Sequence, residues 1–195
     1  MREHSVNKLN NFIGGWYLDD TSICDELIEF SNTHPRTAGV VVDKNRQQID
    51  KDVKDSLDVM LTAAPEELFK KYVWDNLQLV VEEYIKKYNY CNVHSPWRIT
   101  ESPNVQYYPP GGGYKHWHTE RGSARQPVVS RHLVYMTYLN DVADAGETEF
   151  YHQQLKVKPE KGLTLIWGSD WTFTHRGIPS PSQEKYIITG WYNFV

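Results

Sequence analysis

The chain has 195 residues, which is enough for one well-buried domain, and no linker-like stretch divides it. Its formal net charge is −4 and it contains no basic block, so a nucleic-acid-binding surface is not expected. The N-terminus lacks the apolar run of a secretory signal, and no stretch approaches the roughly 20 apolar residues that span a bilayer, so we expect a soluble cytoplasmic protein without a membrane partner.

An opening strand or docking segment is predicted at residues 11–17, where apolar and aromatic residues surround a Gly-Gly pair. The first helix should begin near Thr21 or Ser22, because Ser22-x-x-Asp25 matches a capping box and apolar residues follow at helical spacing. The pair His34-Pro35 should end this helix.

The polar segment from Asp43 to Ser56 follows a short predicted strand at residues 39–42 and has few apolar anchors. This composition favours a mobile surface loop, and on pattern alone an ordinary solvated charge run has equal weight.

The longest helix is predicted from residue 65 to about residue 88, with a proline at its start, glutamates in its first turn and lysines in its last. Its apolar stripe consists of Leu68, Tyr72, Leu77, Val80, Val81 and Tyr84. We expect this helix to brace the outside of a sheet, with a partner-binding helix as the weaker alternative.

After Ser95-Pro96 the sequence becomes rich in strand signals. Strands are predicted at residues 97–108, 114–120, 131–139, 147–151, 162–167, 171–175 and 186–194. Many short strands separated by Gly, Pro and Asn signals indicate a sandwich or a barrel.

The stretch YYPPGGGYKHWHTE, residues 107–120, concentrates the residues that can carry chemistry. On the predicted strand His116, His118 and Glu120 share one face, so an imidazole and a carboxylate can reach one metal ion together. This pair supplies two thirds of a facial triad, which suits Fe(II), and the absence of cysteine from the stretch argues against structural zinc. We assign His118 rather than His116 to the metal, because no carboxylate lies two residues after His116.

The third metal ligand has to come from elsewhere, and the C-terminal segment offers His175. Lys185 follows ten residues later at the start of a β-rich run, after a loop of Gly, Pro and Ser that lets the chain return. Considered alone, His175 would be read as an ordinary hydrogen-bonded loop histidine.

Together these residues resemble the Fe(II)/2-oxoglutarate-dependent oxygenases, and within them the prolyl 4-hydroxylase-like branch of short bacterial and phage proteins. The resemblance rests first on HxE at His118 and Glu120 and on His175 with Lys185 ten residues later. It also rests on AGETEF at residues 145–150, which resembles the family's GGETxF. Finally, Tyr138-Leu139-Asn140 after Arg131 resembles the family's RxxTxxxYLN. It spans roughly the whole chain and is specific in the C-terminal half.

The sequence departs from the family pattern at two points. The family usually has HxD, so Glu120 must place its carboxylate one methylene further out. The family also usually has two residues between its tyrosine and its first histidine, whereas here three separate Tyr114 from His118, which leaves His116 as a rival first ligand.

The resemblance implies a mainly β fold with α-helices (α+β): a double-stranded β-helix, or jelly roll, with N-terminal helices packed on one sheet. It implies a single catalytic domain over residues 1–195, with residues 1–90 as a helical support region and residues 91–195 as the jelly-roll core. The segment from Asp43 to Ser56 then resembles the flexible segment that covers the active site in the prolyl hydroxylase branch.

The same resemblance assigns Fe(II) to His118, Glu120 and His175, and the far carboxylate of 2-oxoglutarate to Lys185. A lysine that points into a barrel is costly unless a negative partner meets it, and that carboxylate would be such a partner. Tyr108 and Thr189 are expected to add hydrogen bonds to 2-oxoglutarate. Tyr108 is preferred because its six-residue separation from Tyr114 resembles the family's tyrosine pair, with core packing as an equal alternative for both tyrosines.

By resemblance, Arg131, Trp191 and Tyr114 occupy positions that contact the peptide substrate. For Arg131 the alternative is an ordinary surface ion pair. Residues 121–130, rich in Gly, Ser and Arg, are predicted as a lid or as a plain surface loop.

The predicted function is therefore an Fe(II)- and 2-oxoglutarate-dependent dioxygenase that uses O2 and releases succinate and CO2, with ascorbate as an additional candidate cofactor. The leading substrate is a prolyl residue of a peptide or protein. Alternatives within this chemistry are a free amino acid, a lysyl side chain or another small molecule. Alternatives outside it are an inert jelly-roll binding or structural module, and a cupin-like isomerase or zinc hydrolase that uses His116, His118 and Glu120. The sequence does not indicate the oligomeric state.

Overall fold

The computed structural model describes residues 1–6, 11–43 and 46–195. Within these ranges the strands are β1 (Gly14–Tyr17), β2 (Thr37–Ala38), β3 (Val41–Asp43), β4 (Arg46–Gln48), β5 (Lys54–Asp55), β6 (Leu57–Met60), β7 (Trp97–Ile99), β8 (Asn104–Tyr108), β9 (Gly113–Tyr114), β10 (Arg131–Tyr138), β11 (Thr148–Phe150), β12 (Leu155–Val157), β13 (Leu163–Gly168), β14 (His175–Gly177) and β15 (Lys185–Phe194). The α-helices are α1 (Ser22–Thr33), α2 (Glu66–Tyr72) and α3 (Gln78–Lys87). Short 3-10 turns lie at Leu61–Ala63, Asn89–Asn92, Val128–Ser130 and Trp171–Phe173.

The architecture is built on one large antiparallel sheet and one small one. The large sheet has the order β1-β13-β10-β15-β8-β6-β2, and β7 also pairs with β15. The small sheet has the order β12-β11-β14. β1, β2 and β6 all come from the first 90 residues, so the N-terminal region supplies strands to the large sheet as well as helices.

Alternation along the central strand β15 divides the interior into two apolar layers. Tyr186, Ile188 and Tyr192 pack with the buried faces of the helices, whereas Ile187 and Trp191 point to the opposite face. The second layer lies between the two sheets, and Phe150 and Val157 of the small sheet contribute to it. This alternation is what period-2 strand geometry requires. It confirms the predicted jelly roll with helices packed on one sheet.

The predicted long helix is present but contains an irregular turn. α2 and α3 are joined by a π-helical segment, Val73–Leu77, and the proline at residue 65 precedes the first helical residue. The predicted stripe is buried as expected, apart from the partly buried Leu68. The extra residue of the π turn was not indicated by the sequence pattern. Its buried Asn76 side chain donates to the backbone carbonyl of Lys71 at 2.8 Å, which satisfies a carbonyl that the irregular turn releases.

The first helix begins where predicted, at Ser22, and its C-cap residue is His34. The capping-box prediction is wrong, because the N-cap residue Thr21 makes no side-chain capping bond. Asp20 accepts a hydrogen bond from the backbone N–H of Ser22 at 2.8 Å and takes that role one residue earlier.

Three strand predictions in the C-terminal half need correction. The predicted strand at residues 114–120 is wrong: β9 ends at Tyr114, and only an isolated bridge at His118 follows. The predicted strand at residues 171–175 is a 3-10 turn that leads into β14. Residues 97–108 form two strands rather than one, because the break contains Pro103, which has no N–H for a sheet. β12 was not predicted.

The segment predicted as a mobile loop, Asp43 to Ser56, lies partly outside the described residues. Its described part contains β4 and β5, and β5 pairs with β9 in register Lys54 to Tyr114. The N–H of Lys115 also donates to the carbonyl of Val53 at 2.8 Å. The segment therefore lies against β9, which is part of the chemically rich stretch at residues 107–120. Within the described residues, none of the helices has the length and apolar content to cross a membrane.

Candidate metal centre

Two histidines from distant parts of the chain are held together by their backbones. His118 and His175 form an isolated antiparallel bridge, in which each N–H donates to the other's carbonyl oxygen at 3.0 Å. Their ring centroids lie 4.3 Å apart. The predicted strand was expected to bring His118 and Glu120 to one metal ion. In its place the bridge fixes the Cα positions of His118 and His175, and Glu120 turns toward their two rings.

The nitrogen atoms of both rings have defined roles. The Nδ1 of His118 lies 3.0 Å from the carbonyl oxygen of His116, and the Nδ1 of His175 lies 2.9 Å from that of Phe173. A carbonyl oxygen can only accept, so each Nδ1 carries a proton, and in the neutral form of either ring the lone pair lies on Nε2. Both Nε2 atoms lie 3.5 Å from Oε1 of Glu120.

Three electron-pair donors thus converge within 4.8 Å of one another, and this group is formed by His118, Glu120 and His175. Burial disfavours the charged imidazole, and together with the neighbouring His175 it lowers the pKa of His118. For Glu120 burial raises the pKa of the carboxyl, but the proximity of the two histidines outweighs this effect and holds the pKa well below its usual range. Two neutral imidazoles and one carboxylate fit a divalent metal of the Fe(II) type.

The second oxygen of Glu120 is held from the other side. Its Oε2 accepts a hydrogen bond from Nε1 of Trp191 at 3.0 Å and lies 3.5 Å from Nη1 of Arg131. The guanidinium of Arg131 also lies over the Trp191 ring, 3.5 Å from its centroid. Two residues predicted to contact substrate therefore direct their polar groups at the carboxylate.

The third residue predicted to contact substrate, Tyr114, stacks on a predicted ligand. Its ring lies 3.6 Å from that of His118 with an interplanar angle of 7°. The stack covers one face of the imidazole and restricts rotation of His118 about its side chain. By contrast, His116 is exposed and lies outside the converging group.

Lys185 is a buried lysine near one end of the space between the sheets, with only 4% of its surface exposed. Its ammonium donates to the carbonyl of Gly146 at 2.9 Å and lies 5.1 Å from the ring centroid of Tyr108. Ala145 and Gly146 both have positive φ, and this turn presents the carbonyl to the lysine. Within the described part of the chain, no carboxylate oxygen lies within salt-bridge distance of the ammonium. Burial lowers the pKa of Lys185 to about 8, although nearby Glu147 acts against the shift.

The two other residues predicted to bind 2-oxoglutarate lie on the same inner face as Lys185, but their hydroxyl groups are engaged. Tyr108 donates to Oε1 of Gln106 at 2.6 Å, and Thr189 donates to the backbone carbonyl of Tyr135 at 2.9 Å. Either hydroxyl would have to rotate to donate to a ligand.

A buried polar cluster beside this face was missed by the sequence analysis. Lys54 and Asp58 form a buried ion pair at 2.8 Å, and Ser56 and Asn104 donate to the same carboxylate at 2.6 and 3.0 Å. The Lys54 ammonium lies 5.9 Å from the ring centroid of Tyr114. One signal could have pointed to the cluster: in β8 polar residues alternate with Val105 and Tyr107, as expected for a strand with a polar inner face.

Comparisons with known proteins give a family match and several structures of the same fold. Residues 103–193 match the family model of the 2OG-Fe(II) oxygenase superfamily. A comparison with curated protein sequences finds no match.

Several solved structures share the fold. A viral collagen prolyl hydroxylase from Paramecium bursaria Chlorella virus-1, solved with 2-oxoglutarate, is 21% identical, with a TM-score of 0.66 over 94% of this chain and 97% of that chain. A prolyl-4-hydroxylase from Pseudomonas putida is 15% identical, with a TM-score of 0.69 over 93% and 92%. A prolyl hydroxylase from Trichoplax adhaerens, in complex with a peptide fragment of the hypoxia inducible factor oxygen degradation domain, is 19% identical, with a TM-score of 0.70 over 97% and 86%.

Proposed function

We propose that this chain, a 2-oxoglutarate- and iron(II)-dependent oxygenase with the fold of the prolyl hydroxylases, hydroxylates a prolyl residue of a peptide or protein. The observation that carries the proposal is the convergence of three metal-ligand side chains, His118, Glu120 and His175, whose ligand atoms lie within 4.8 Å of one another. Two imidazoles and one carboxylate at this spacing form a ligand set for a divalent metal ion.

His118, Glu120 and His175 would hold Fe(II) on one side and leave its other positions open. When bound, iron, 2-oxoglutarate and O2 supply the oxidising chemistry, with succinate and CO2 as the co-products. The protein contributes ligation and orientation. The carbonyls of His116 and Phe173 hold both imidazoles in the tautomer that presents Nε2, and Trp191 holds Oε2 of Glu120 while Oε1 faces the two imidazoles, so Oε1 would be the metal ligand.

Lys185 would bind the far carboxylate of 2-oxoglutarate. Its burial and lowered pKa indicate an ammonium that has no carboxylate partner among the described residues, and a dicarboxylate entering between the sheets would supply one. Tyr108 and Thr189 would exchange their present acceptors for the same carboxylate. Residues 1–195 would act as one catalytic domain, because β6 from the N-terminal region pairs with β8, which carries Tyr108.

The prolyl substrate is supported by the three structural neighbours described above, all of them prolyl hydroxylases. Beside the donor group the chain offers two aromatic rings, those of Tyr114 and Trp191. One face of Tyr114 lies on His118, and one face of Trp191 lies under Arg131. A prolyl ring would pack against the parts of the two rings that these contacts leave free. The substrate role of Arg131 would be limited to the parts of its guanidinium that Glu120 and Glu101 leave free.

The test is an anaerobic titration of the purified protein with Fe(II) and 2-oxoglutarate, followed by the visible charge-transfer band of the chelate. We expect the band in the native protein and its loss in His175→Ala. Peptides with and without proline are then compared for succinate release and for addition of one oxygen atom by mass spectrometry, with and without ascorbate. A band without any proline-dependent product would retain the oxygenase and refute the prolyl substrate, and the free amino acids and lysyl peptides would be assayed next.

A further inference from the structure

The carboxylate of Glu101 holds Arg131, the arginine whose guanidinium also reaches the proposed metal ligand Glu120. Glu101 lies in the bend between β7 and β8 and pairs with Arg131 through two hydrogen bonds: Nε donates to Oε1 at 2.9 Å, and Nη2 donates to Oε2 at 2.7 Å. The fully buried Asn193 donates to the same Oε1 at 3.0 Å. The side chains of Glu101 and Arg131 are 16% and 13% exposed, so water screens this pair only weakly.

This pairing leaves Arg131 with one nitrogen for Glu120. That nitrogen, Nη1, donates to the backbone carbonyl of Glu120 at 2.9 Å and approaches its Oε2 only to 3.5 Å. A guanidinium pairs most strongly with a carboxylate through two parallel hydrogen bonds. Here Glu101 receives that bidentate contact, although Glu120 is within reach of the same guanidinium.

The competition matters because Glu120 has to serve a metal ion. A bidentate arginine would offset the negative charge of the carboxylate and occupy both of its oxygens. In the observed arrangement, Oε2 is taken by Trp191 and by the distant Nη1, while Oε1 faces the imidazoles of His118 and His175. Oε1 therefore stays available as a ligand.

We propose that Glu101 is a positioning residue for the metal site: by holding Arg131 in a bidentate pair, it prevents the guanidinium from capturing Glu120. The inference rests on the proposed metal site. It gives Arg131 a role in ligand geometry beside any contact with substrate, and it assigns a function to a residue that no motif indicated.

The test uses Glu101→Gln and measures binding of Mn(II) in the absence of O2, by the electron paramagnetic resonance signal of the unbound ion. The amide lacks the charge and the second acceptor oxygen of the bidentate pair, so we expect Arg131 to turn toward Glu120. The Kd for Mn(II) should then rise on the order of tenfold or more, as for other residues that support metal ligands. The matched control is Glu149→Gln. Glu149 pairs with Arg176 at 2.8 Å with a similarly shielded side chain. Arg176 directly follows His175 in β14 but makes no ion pair with Glu120 among the described residues, so the Glu149→Gln variant should bind Mn(II) within about twofold of the native protein.

A second arm separates positioning from a general structural effect. In an Arg131→Met background no guanidinium remains to capture Glu120, so adding Glu101→Gln should leave the Mn(II) Kd unchanged. If Glu101→Gln weakens Mn(II) binding equally in both backgrounds, or changes only the melting temperature, the proposal is overturned. Should Glu101→Gln fail to fold by circular dichroism, Glu101→Asp, which keeps the charge and shortens the reach, replaces it, with the same expected direction.

The outcomes also distinguish this inference from the proposed function. If the native protein binds no Mn(II), or His175→Ala binds it equally well, the metal site itself is refuted. If the native protein binds Mn(II) and His175→Ala does not, but Glu101→Gln binds it as tightly as the native protein, only the role of Glu101 is refuted.

Discussion

His118 and His175 exchange backbone hydrogen bonds of 3.0 Å in both directions, although one follows β9 and the other begins β14. The two rings are therefore placed by the main chain, and each is then oriented by a carbonyl two residues earlier in sequence. Because the frame consists of backbone, removing one ring should remove a ligand without dismantling the site.

The first prediction concerns the ligands themselves. We expect His118→Ala and His175→Ala to lose the charge-transfer band of the Fe(II) and 2-oxoglutarate complex while retaining their circular dichroism spectra. His116→Ala is the matched control, because this exposed residue contributes only its backbone carbonyl, and its band should persist. Loss of the band in His116→Ala would instead support the rival ligand set of His116, His118 and Glu120.

The part of the site that could be predicted from sequence is the part that depends on residue type and spacing. His118 and Glu120 were singled out by residue type and spacing, whereas His175 and Lys185 were assigned because their ten-residue separation resembles the family's. The strand expected to align two of these residues does not exist, and a single bridge to His175 replaces it. Such a bridge joins distant segments and leaves no local periodicity in the sequence.

The support around the carboxylate was not predictable for a similar reason. Arg131 and Trp191 were assigned by resemblance, but their contacts with Glu120 depend on the pairing of β10 with β15 and on the chain reversal after His118. Glu101 showed no pattern at all, because a polar residue in a bend is ordinary. The π segment Val73–Leu77 likewise results from packing and has no sequence signature.

The second prediction uses the buried ammonium of Lys185. Its pKa is about 8 in the folded protein against an ordinary 10.5, so between these pH values the unfolded chain binds more protons than the folded one. The free energy of unfolding should therefore rise with pH from about 8 to about 10.5. Below pH 8 the buried ammonium should lower it by the full amount, about 3 kcal/mol. Without 2-oxoglutarate, Lys185→Met should be more stable than the native protein at pH 7 by up to that amount, less about 1 kcal/mol for the lost hydrogen bond to Gly146.

Urea denaturation of both proteins at several pH values between 7 and 10 checks this prediction. The difference in the free energy of unfolding between the variant and the native protein should shrink as the pH rises. Taking this difference cancels the contributions of titrating groups that both proteins share. If Lys185→Met is less stable than the native protein at pH 7, and the difference in the free energy of unfolding does not change with pH, then burial does not disfavour the charged ammonium in the folded protein.

The third prediction concerns the same lysine in co-substrate binding. We expect Lys185→Ala to weaken 2-oxoglutarate binding by on the order of a hundredfold, because the far carboxylate would lose its cation in a buried site. In the native protein the Kd for 2-oxoglutarate should rise as the pH passes above about 8, where the ammonium of the free protein loses its proton. Isothermal titration with Mn(II)-loaded protein measures both effects, and a Kd that is independent of pH and of Lys185 would refute the assignment.

The fourth prediction concerns the stack of Tyr114 on His118. Tyr114→Phe keeps the ring and should bind Mn(II) like the native protein, whereas Tyr114→Ala frees the imidazole and should raise the Kd by roughly 2- to 10-fold, the value of an aromatic contact. If both variants bind Mn(II) normally but raise the KM for the peptide, Tyr114 acts on substrate alone, as the resemblance first implied.

The last prediction concerns the length of the metal-binding carboxylate. Glu120 uses its two oxygens in different directions: Oε1 faces the two imidazoles, and Oε2 accepts from Trp191 at 3.0 Å. Glu120→Asp is one methylene shorter, so it can keep the contact with the metal or the contact with Trp191, but not both. We therefore expect Glu120→Asp to bind Mn(II) more weakly, on the order of tenfold, even though aspartate is the usual residue in the resembling family. Glu120→Gln keeps the length and the Trp191 contact but loses the charge, and should be weaker still. Binding by Glu120→Asp as tight as in the native protein would mean that the backbone after His118 adjusts to the shorter side chain, and that Trp191 and Arg131 do not set the position of the ligand.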